Sequence, residues 1–249
     1  MNIAIISRPR TTSTAVINTL AIRHNLTNEF EDYQLLVSSL VGHSYSEEAK
    51  NLDVVAKEEY FKNAILSKTI KLFSKGNFIC KIWPCMFICA PNTMFPHWSI
   101  DYFKSKTAFD ITRLFKIDQY DQLYFIDRDV YVTTASWIYS RRTGVFHTER
   151  DKTHETPTIE IDFIDLAHAK FRVLECVLQQ KVKDFLIEEQ IPFVDISNNT
   201  EDYVDESLLT TKKSEHDYPS LISNYDEFHN SITEWHKFFI DATSDWKFT

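Results

Sequence analysis

The chain has 249 residues, enough to bury one large core, and its 43% apolar and 25% charged content is that of a globular protein. Three glycines are too few for a turn-rich all-β fold or a glycine-built phosphate loop, and a formal charge of −9 argues against a surface made for nucleic acid. No apolar run approaches the roughly 20 residues of a membrane span, and no leader pattern opens the sequence; the expectation is a cytoplasmic protein with no membrane partner.

In chain order, residues 3–6 predict a short apolar strand. Ser7-Arg8-Pro9-Arg10-Thr11-Thr12-Ser13-Thr14 follows as a hydroxyl-rich basic loop, and residues 13–24 predict a helix that ends near His24-Asn25. A second strand is expected at 33–37. Residues 46–74 read as a helix with apolar faces built from Val54, Val55, Tyr60, Phe61, Ile65, Ile70 and Phe73, and Gly76 supplies the stop. Residues 78–83 predict a third strand, ended by Pro84. A helix over 98–116, a strand over 122–126 and a helix over 129–142 with Asp129 at its acidic start come next. Residues 147–157 read as an exposed polar loop, 160–189 as one long amphipathic helix, and 193–196 as a fifth strand. The acidic remainder is partly helical, with Trp235 and Phe238-Phe239 docked on the body. Strands alternating with helices predict a single α/β domain spanning 1–249, with a central parallel sheet covered by helices on both faces in a three-layer, P-loop-like arrangement.

Ligands of such sheets bind outside the carboxyl ends of the strands, which singles out residues 7–14, 83–97 and 127–129. A helix beginning at Ser13 offers unpaired N–H groups and a partial positive charge to an anion. The loop before it lacks glycine and any Gly-Lys-Ser/Thr ending, so it is not the usual nucleotide cradle. Of nine arginines, Arg8, Arg10, Arg128, Arg141 and Arg142 fall in two short segments, a pattern suited to one small anionic ligand. Arg128 stands at a predicted strand end, and Ser136 follows eight residues later; a guanidinium fork and a hydroxyl so placed can grip one phosphate. Lys81, inside an apolar strand, needs a partner or a wet tip. The Arg141-Arg142 pair suits either closure over a phosphate or the end of a helix dipole. Cys80, Cys85, Cys89 and Cys176 read as buried thiols; the spacing of the first three, even with His97, is not that of a usual zinc site.

Strand, basic Ser/Thr loop and helix, followed by a later strand ending in Arg with Ser eight residues on, resemble the sulfotransferases that use 3′-phosphoadenosine 5′-phosphosulfate (PAPS). The start Ser-Arg-Pro-Arg-Thr-Thr-Ser-Thr is most similar to the bacterial and phage branch related to trehalose sulfotransferase. The stretch from Phe78 to Trp83, with Lys81 and Pro84, also resembles that family's central strand. The resemblance implies that Arg10, Thr11, Thr12, Ser13 and Thr14 hold the 5′-phosphosulfate; Arg8, in the same loop, is expected either to join them at the phosphate or to form a surface ion pair. It likewise implies that Arg128 and Ser136 hold the 3′-phosphate, over which Arg142 of the Arg141-Arg142 pair is a candidate to close. Arg10 and Lys81 would stabilise the leaving phosphate, with PAPS as co-substrate and no metal required. The chain departs from the family at Thr12, where glycine is usual, at Arg10, where lysine is frequent, and at Trp83, where many members carry a catalytic histidine. Glu29 or Glu31 is then the expected base, with His97 and His43 as lesser candidates.

The expected acceptor is the hydroxyl of a carbohydrate or small metabolite, since an acidic surface disfavours polyanionic acceptors. Two other readings share the strand–loop–helix start. One is a P-loop kinase or NTPase, in which Asp127 and Asp129 would attend magnesium. The other is a nucleotide-binding protein of the same fold without turnover.

Overall fold

The structure, a computed structural model, describes residues 1–8, 12–29, 54–83, 111–144, 148–149, 156–205, 207, 211–212 and 216–245. Strand β1 (Asn2–Ser7) leads into helix α1 (Ser13–His24), then the two-residue strand β2 (Thr27–Asn28). Helix α2 (Val54–Lys75), strand β3 (Phe78–Ile82), helix α3 (Ile111–Phe115) and strand β4 (Gln122–Ile126) follow. Helix α4 (Val130–Thr143), strand β5 (Thr148–Glu149), helix α5 (Phe163–Glu188) and strand β6 (Val194–Asp195) come next, and strand β7 (Thr211–Lys212) with helices α6 (Tyr218–Leu221) and α7 (Tyr225–Ala242) completes the order.

Five strands form a parallel sheet in the order β2-β3-β1-β4-β6, so the protein is α/β as expected. In β1, Ile3, Ala4, Ile5 and Ile6 are all fully buried, because a central parallel strand is covered on both faces. Side chains alternate along it. Ile3 and Ile5 join Ile79, Val16, Ile17 and Leu20 in a core under α1. Ala4 and Ile6 join Cys80, Ile65 and Leu72 of α2 and Val182, Phe185 and Leu186 of α5 on the other face. A third core, beyond the sheet, packs α4, the amino-terminal half of α5, α6 and α7 around Ile138, Val173, Leu174, Phe228 and Ile232.

Helix boundaries follow local chemistry. α1 ends where Asn25 turns left-handed and caps the Ala21 and Ile22 carbonyls. α2 ends at Gly76, whose φ of +65° a glycine adopts without strain and whose N–H bonds Leu72 O. α5 starts at Phe163 rather than 160. Ile159 is bridged to Ile222, Ile161 N–H is taken by Asn224, and Asp162 closes a capping box with Asp165.

A two-residue strand that was not expected lies at Thr27–Asn28: Thr27 N–H bonds Asn77 O and Glu29 N–H bonds Ile79 O, which lays this segment on the edge of β3. The expected strand at 33–37, most of the helix over 98–116 and residues 46–53 lie outside the described residues. Within the expected polar loop, Thr148–Glu149 pairs antiparallel with Thr211–Lys212. Phe239 is buried as expected, but Phe238 is 51% exposed, its ring 6.0 Å from Lys170 Nζ. No helix among the described residues is long and apolar enough to cross a membrane.

Candidate functional site

β1 is the middle strand, and the chain leaves it first towards β2 and later towards β4, so its carboxyl end is a switch point of the sheet. Thr12 sits there with φ 66°, the left-handed residue before α1, and makes no side-chain cap. Ser13 is buried, while Thr12 and Thr14 are half-buried. Arg10 and Thr11 lie outside the described residues.

Lys81 arrives at the same point from β3. It pairs in register with Ile5 and so shares the α1 face. Its side chain is 3% exposed; Nζ donates to Ser13 Oγ at 2.6 Å and to Arg8 O at 3.2 Å, and lies 5.5 Å from the Trp83 ring centroid. A buried lysine head is therefore fastened beneath the first turn of α1.

Arg8 behaves differently from the expectation that it faces a phosphate. The alternation that turns Ala4 and Ile6 away from α1 turns Arg8 the same way, onto α5. Its guanidinium donates to Cys176 Sγ, to Asp127 Oδ1 at 2.5 Å and to Arg128 O at 2.5 Å, with 2% of the side chain exposed. Burial alone would weaken its hold on the proton, but Cys176 once it is ionised at high pH, together with Asp127 and Glu175, outweighs that and raises its pKa. Burial pushes the Cys176 thiol up to about 12, so it is a neutral neighbour at physiological pH. Arg8 thus ties the ends of β1 and β4 to each other and to α5 while presenting only its carbonyl to Lys81.

β4 ends in Asp127, half-buried Arg128 and Asp129. Asp127 Oδ1 receives Arg128 N–H at 2.8 Å, and Asp129 Oδ1 receives the N–H groups of Tyr131 and Val132, starting α4. Ser136 lies two turns into α4 and is 3% exposed. The structure therefore gathers Thr12, Ser13, Thr14, Lys81, Arg128 and Ser136 on the elements that border the carboxyl ends of β1, β3 and β4.

It does not bring Arg142 or Glu29 to them. Arg142 lies at the far end of α4, about 20 Å along the helix from Arg128. Its guanidinium bonds Asp162 Oδ2 at 3.0 Å and Glu160 O at 3.4 Å. Arg141 joins it by pairing with the buried Asp165 at 3.4 Å. Glu29 follows Asn28, the partner of Ile79, and so lies opposite Cys80 on the α2 face, turned from Lys81. Its Oε1 meets Lys75 Nζ at 3.3 Å, at the end of α2 that leads into β3. Glu31, His43 and His97 lie outside the described residues, as do Cys85 and Cys89; Cys80 and Cys176 are buried free thiols.

His236, on α7, is half-buried; burial and Arg8 lower its pKa, against the opposite pull of Asp129 and Asp127. Among the described residues no cluster of three His, Cys, Asp or Glu side chains is placed to hold a metal ion. Comparison of the chain with protein-family models and with curated proteins returns no match.

Proposed function

We propose that this protein transfers a sulfuryl group from PAPS to a hydroxyl of a carbohydrate or small metabolite, as one sulfotransferase-like domain of P-loop-like architecture. The observation that carries the reading is Lys81, buried under the head of α1 between Ser13 Oγ and Arg8 O. A cation at a helix N-terminus, on the central edge of a parallel sheet, suits a phosphate or sulfate bound to that turn. Arg128 and Ser136, on the neighbouring β4–α4 connection, suit a second phosphate of the same ligand. A nucleotide with phosphate on both its 5′ and 3′ sides has that form.

In this reading the acceptor oxygen attacks sulfur as the bond from sulfur to the 5′-phosphate oxygen breaks. Negative charge grows on that bridging oxygen. Lys81, Arg10 and the first N–H groups of α1 meet it, and fixed cations and donors of this kind carry most of the catalysis in such transfers. Arg10 stays protonated and acts by charge alone. Arg128 and Ser136 hold the 3′-phosphate and fix the nucleotide's register. Of the two acids the magnesium-dependent alternative would use, Asp127 has its Oδ1 taken by Arg8 and Arg128 N–H, and Asp129 has its Oδ1 taken by the N–H groups of Tyr131 and Val132. That favours sulfuryl transfer over a kinase.

Thermal unfolding with 3′-phosphoadenosine 5′-phosphate (PAP), beside ATP–magnesium and AMP, tests the proposal. Near a hundred times Kd, PAP should add about 2.7 kcal/mol, or roughly 2–4 °C. Arg128→Ala should abolish the shift. A shift with ATP–magnesium instead, or with none of the three, would overturn it.

A further inference from the structure

β1 lies between β3 and β4, and its ladders are short. Register with β3 ends at Ile6↔Ile82 and register with β4 at Ser7↔Ile126. Arg8, Asp127 and Arg128 are the first residues beyond those pairs, so sheet hydrogen bonds no longer fix how the strand ends stand to one another. Arg8 bridges both gaps, with a different part of itself on each side. Towards β3 it gives its main chain: Arg8 O accepts from Lys81 Nζ at 3.2 Å. Towards β4 it gives its side chain: Nη2 donates to Asp127 Oδ1 and to Arg128 O, each at 2.5 Å.

Arg128 is thereby held at both of its main-chain groups, its O by Arg8 and its N–H by Asp127 Oδ1 at 2.8 Å. Asp127 is itself anchored, its N–H bonding Ser197 Oγ at 2.9 Å. From α5, Cys176 Sγ accepts from Arg8 Nη1 and donates to Arg172 O, which fixes the other arm of the guanidinium. A planar cation held this way in a dry setting makes strong, directional bonds. With 2% of its side chain exposed, Arg8 acts on Arg128 rather than on a ligand.

We propose that Arg8 is a positioning residue that gives the site its preference for a 3′-phosphorylated nucleotide: it holds the main chain of Arg128 in fixed register with the Lys81 head. The inference rests on the sulfotransferase reading above, which assigns the 3′-phosphate to Arg128 and Ser136. The two flanks then respond differently to substitution. Any residue at position 8 supplies a carbonyl to Lys81, so the 5′ side survives a change of side chain. A lysine ends one bond short of Nη2 and has no second arm, so it releases Arg128. A ligand that must reach both ends at once loses the benefit of its second contact when that contact is no longer held in place.

The test compares wild type with Arg8→Lys and Asp127→Asn. Equilibrium dialysis of the radiolabelled nucleotides gives affinities for PAP, with both phosphates, for 3′-AMP, with the 3′-phosphate alone, and for 5′-AMP, with the 5′-phosphate alone. Near-UV circular dichroism follows the fold. Arg8→Lys should weaken PAP and 3′-AMP by about tenfold or more and leave 5′-AMP within about twofold of wild type. Asp127→Asn keeps Oδ1 as a neutral acceptor and should weaken the same two by about threefold. Unchanged affinity for PAP and 3′-AMP in a folded Arg8→Lys would overturn the role. So would an equal loss of all three nucleotides, the mark of a residue that only supports the fold. Should Arg8→Lys not fold, Asp127→Asn carries the test, and the same two outcomes overturn it. A wild type that binds PAP no more tightly than 5′-AMP would instead sink the sulfotransferase reading itself, since the 3′-phosphate would then go unrecognised.

Discussion

A lysine 3% exposed inside a β-strand must find oxygen partners where it lies. Lys81 finds them in Ser13 Oγ and Arg8 O, the two residues that bracket the loop between β1 and α1. Lys81→Met keeps the unbranched stem and removes the head. It should leave far-UV and near-UV circular dichroism unchanged while weakening PAP by about 1.5–3 kcal/mol, roughly ten- to a hundredfold, as read by calorimetry. Unchanged affinity would assign Lys81 to holding the loop alone. Lys81 was legible as a cation inside an apolar strand and Arg128 as one at a strand end, because apolar runs of defined length fix where a strand stops. Arg8 was legible only in part. Its proximity to the switch point could be read, but its direction follows from carrying the β1 alternation two residues past Ile6, onto the face where α5 packs. The place of α7 was not legible, because nothing local says where it will lie; the contacts of Tyr131 with His229 and Thr233 decide that.

At the scale of elements, the start of α5 shows how a cap sets a boundary. Asp162 accepts the N–H groups of Asp165 and Ile164, with Arg142 at 3.0 Å, and these hold its carboxyl below the ordinary carboxylate range. A depressed pKa means stability that is fully present above the unfolded value and lost as pH falls through the folded one. Asp165 runs the other way: burial raises its pKa, so ionising it works against the fold as pH rises. Asp162→Asn keeps a capping oxygen and removes the titration. In thermal melts, wild type should exceed this variant most near pH 5, and the gap should narrow towards pH 3. Parallel curves would show that Asp162 does not couple to folding. The long elements were legible from their periodicity. β2 was not, since two residues carry no period, and its place is set by the free edge of β3. Nor were β5 and β7, which exist only as each other's partners.

At the scale of the whole molecule, α5 belongs to two cores at once. Val182, Phe185 and Leu186 pack under the sheet, while Val173, Leu174 and Val177 pack with α4 and α7. One unbroken helix through both should make them unfold together. Phe228, 1% exposed in the helical core, tests this. Phe228→Ala should cost about 3–5 kcal/mol. Tryptophan fluorescence, to which all five tryptophans contribute, among them Trp137 and Trp235 in the helical core and Trp83 beside the sheet core, and far-UV circular dichroism should still trace one shared urea transition. Two separated transitions would mean that the helical core stands by itself. The alternation of strands and helices predicted a parallel sheet, but the strand order emerged only with the register, since β1, β3 and β4 are each apolar enough to occupy the centre. That order also bears on synthesis. β1 leaves the ribosome before either strand that flanks it, and its neighbours at Phe78 and Gln122 are made much later. Until then a strand with four fully buried side chains has no finished surface to join. The nascent chain must be kept from sticking to others until about half of it has been translated, which makes this protein a natural client for chaperones that meet polypeptides at the exit tunnel.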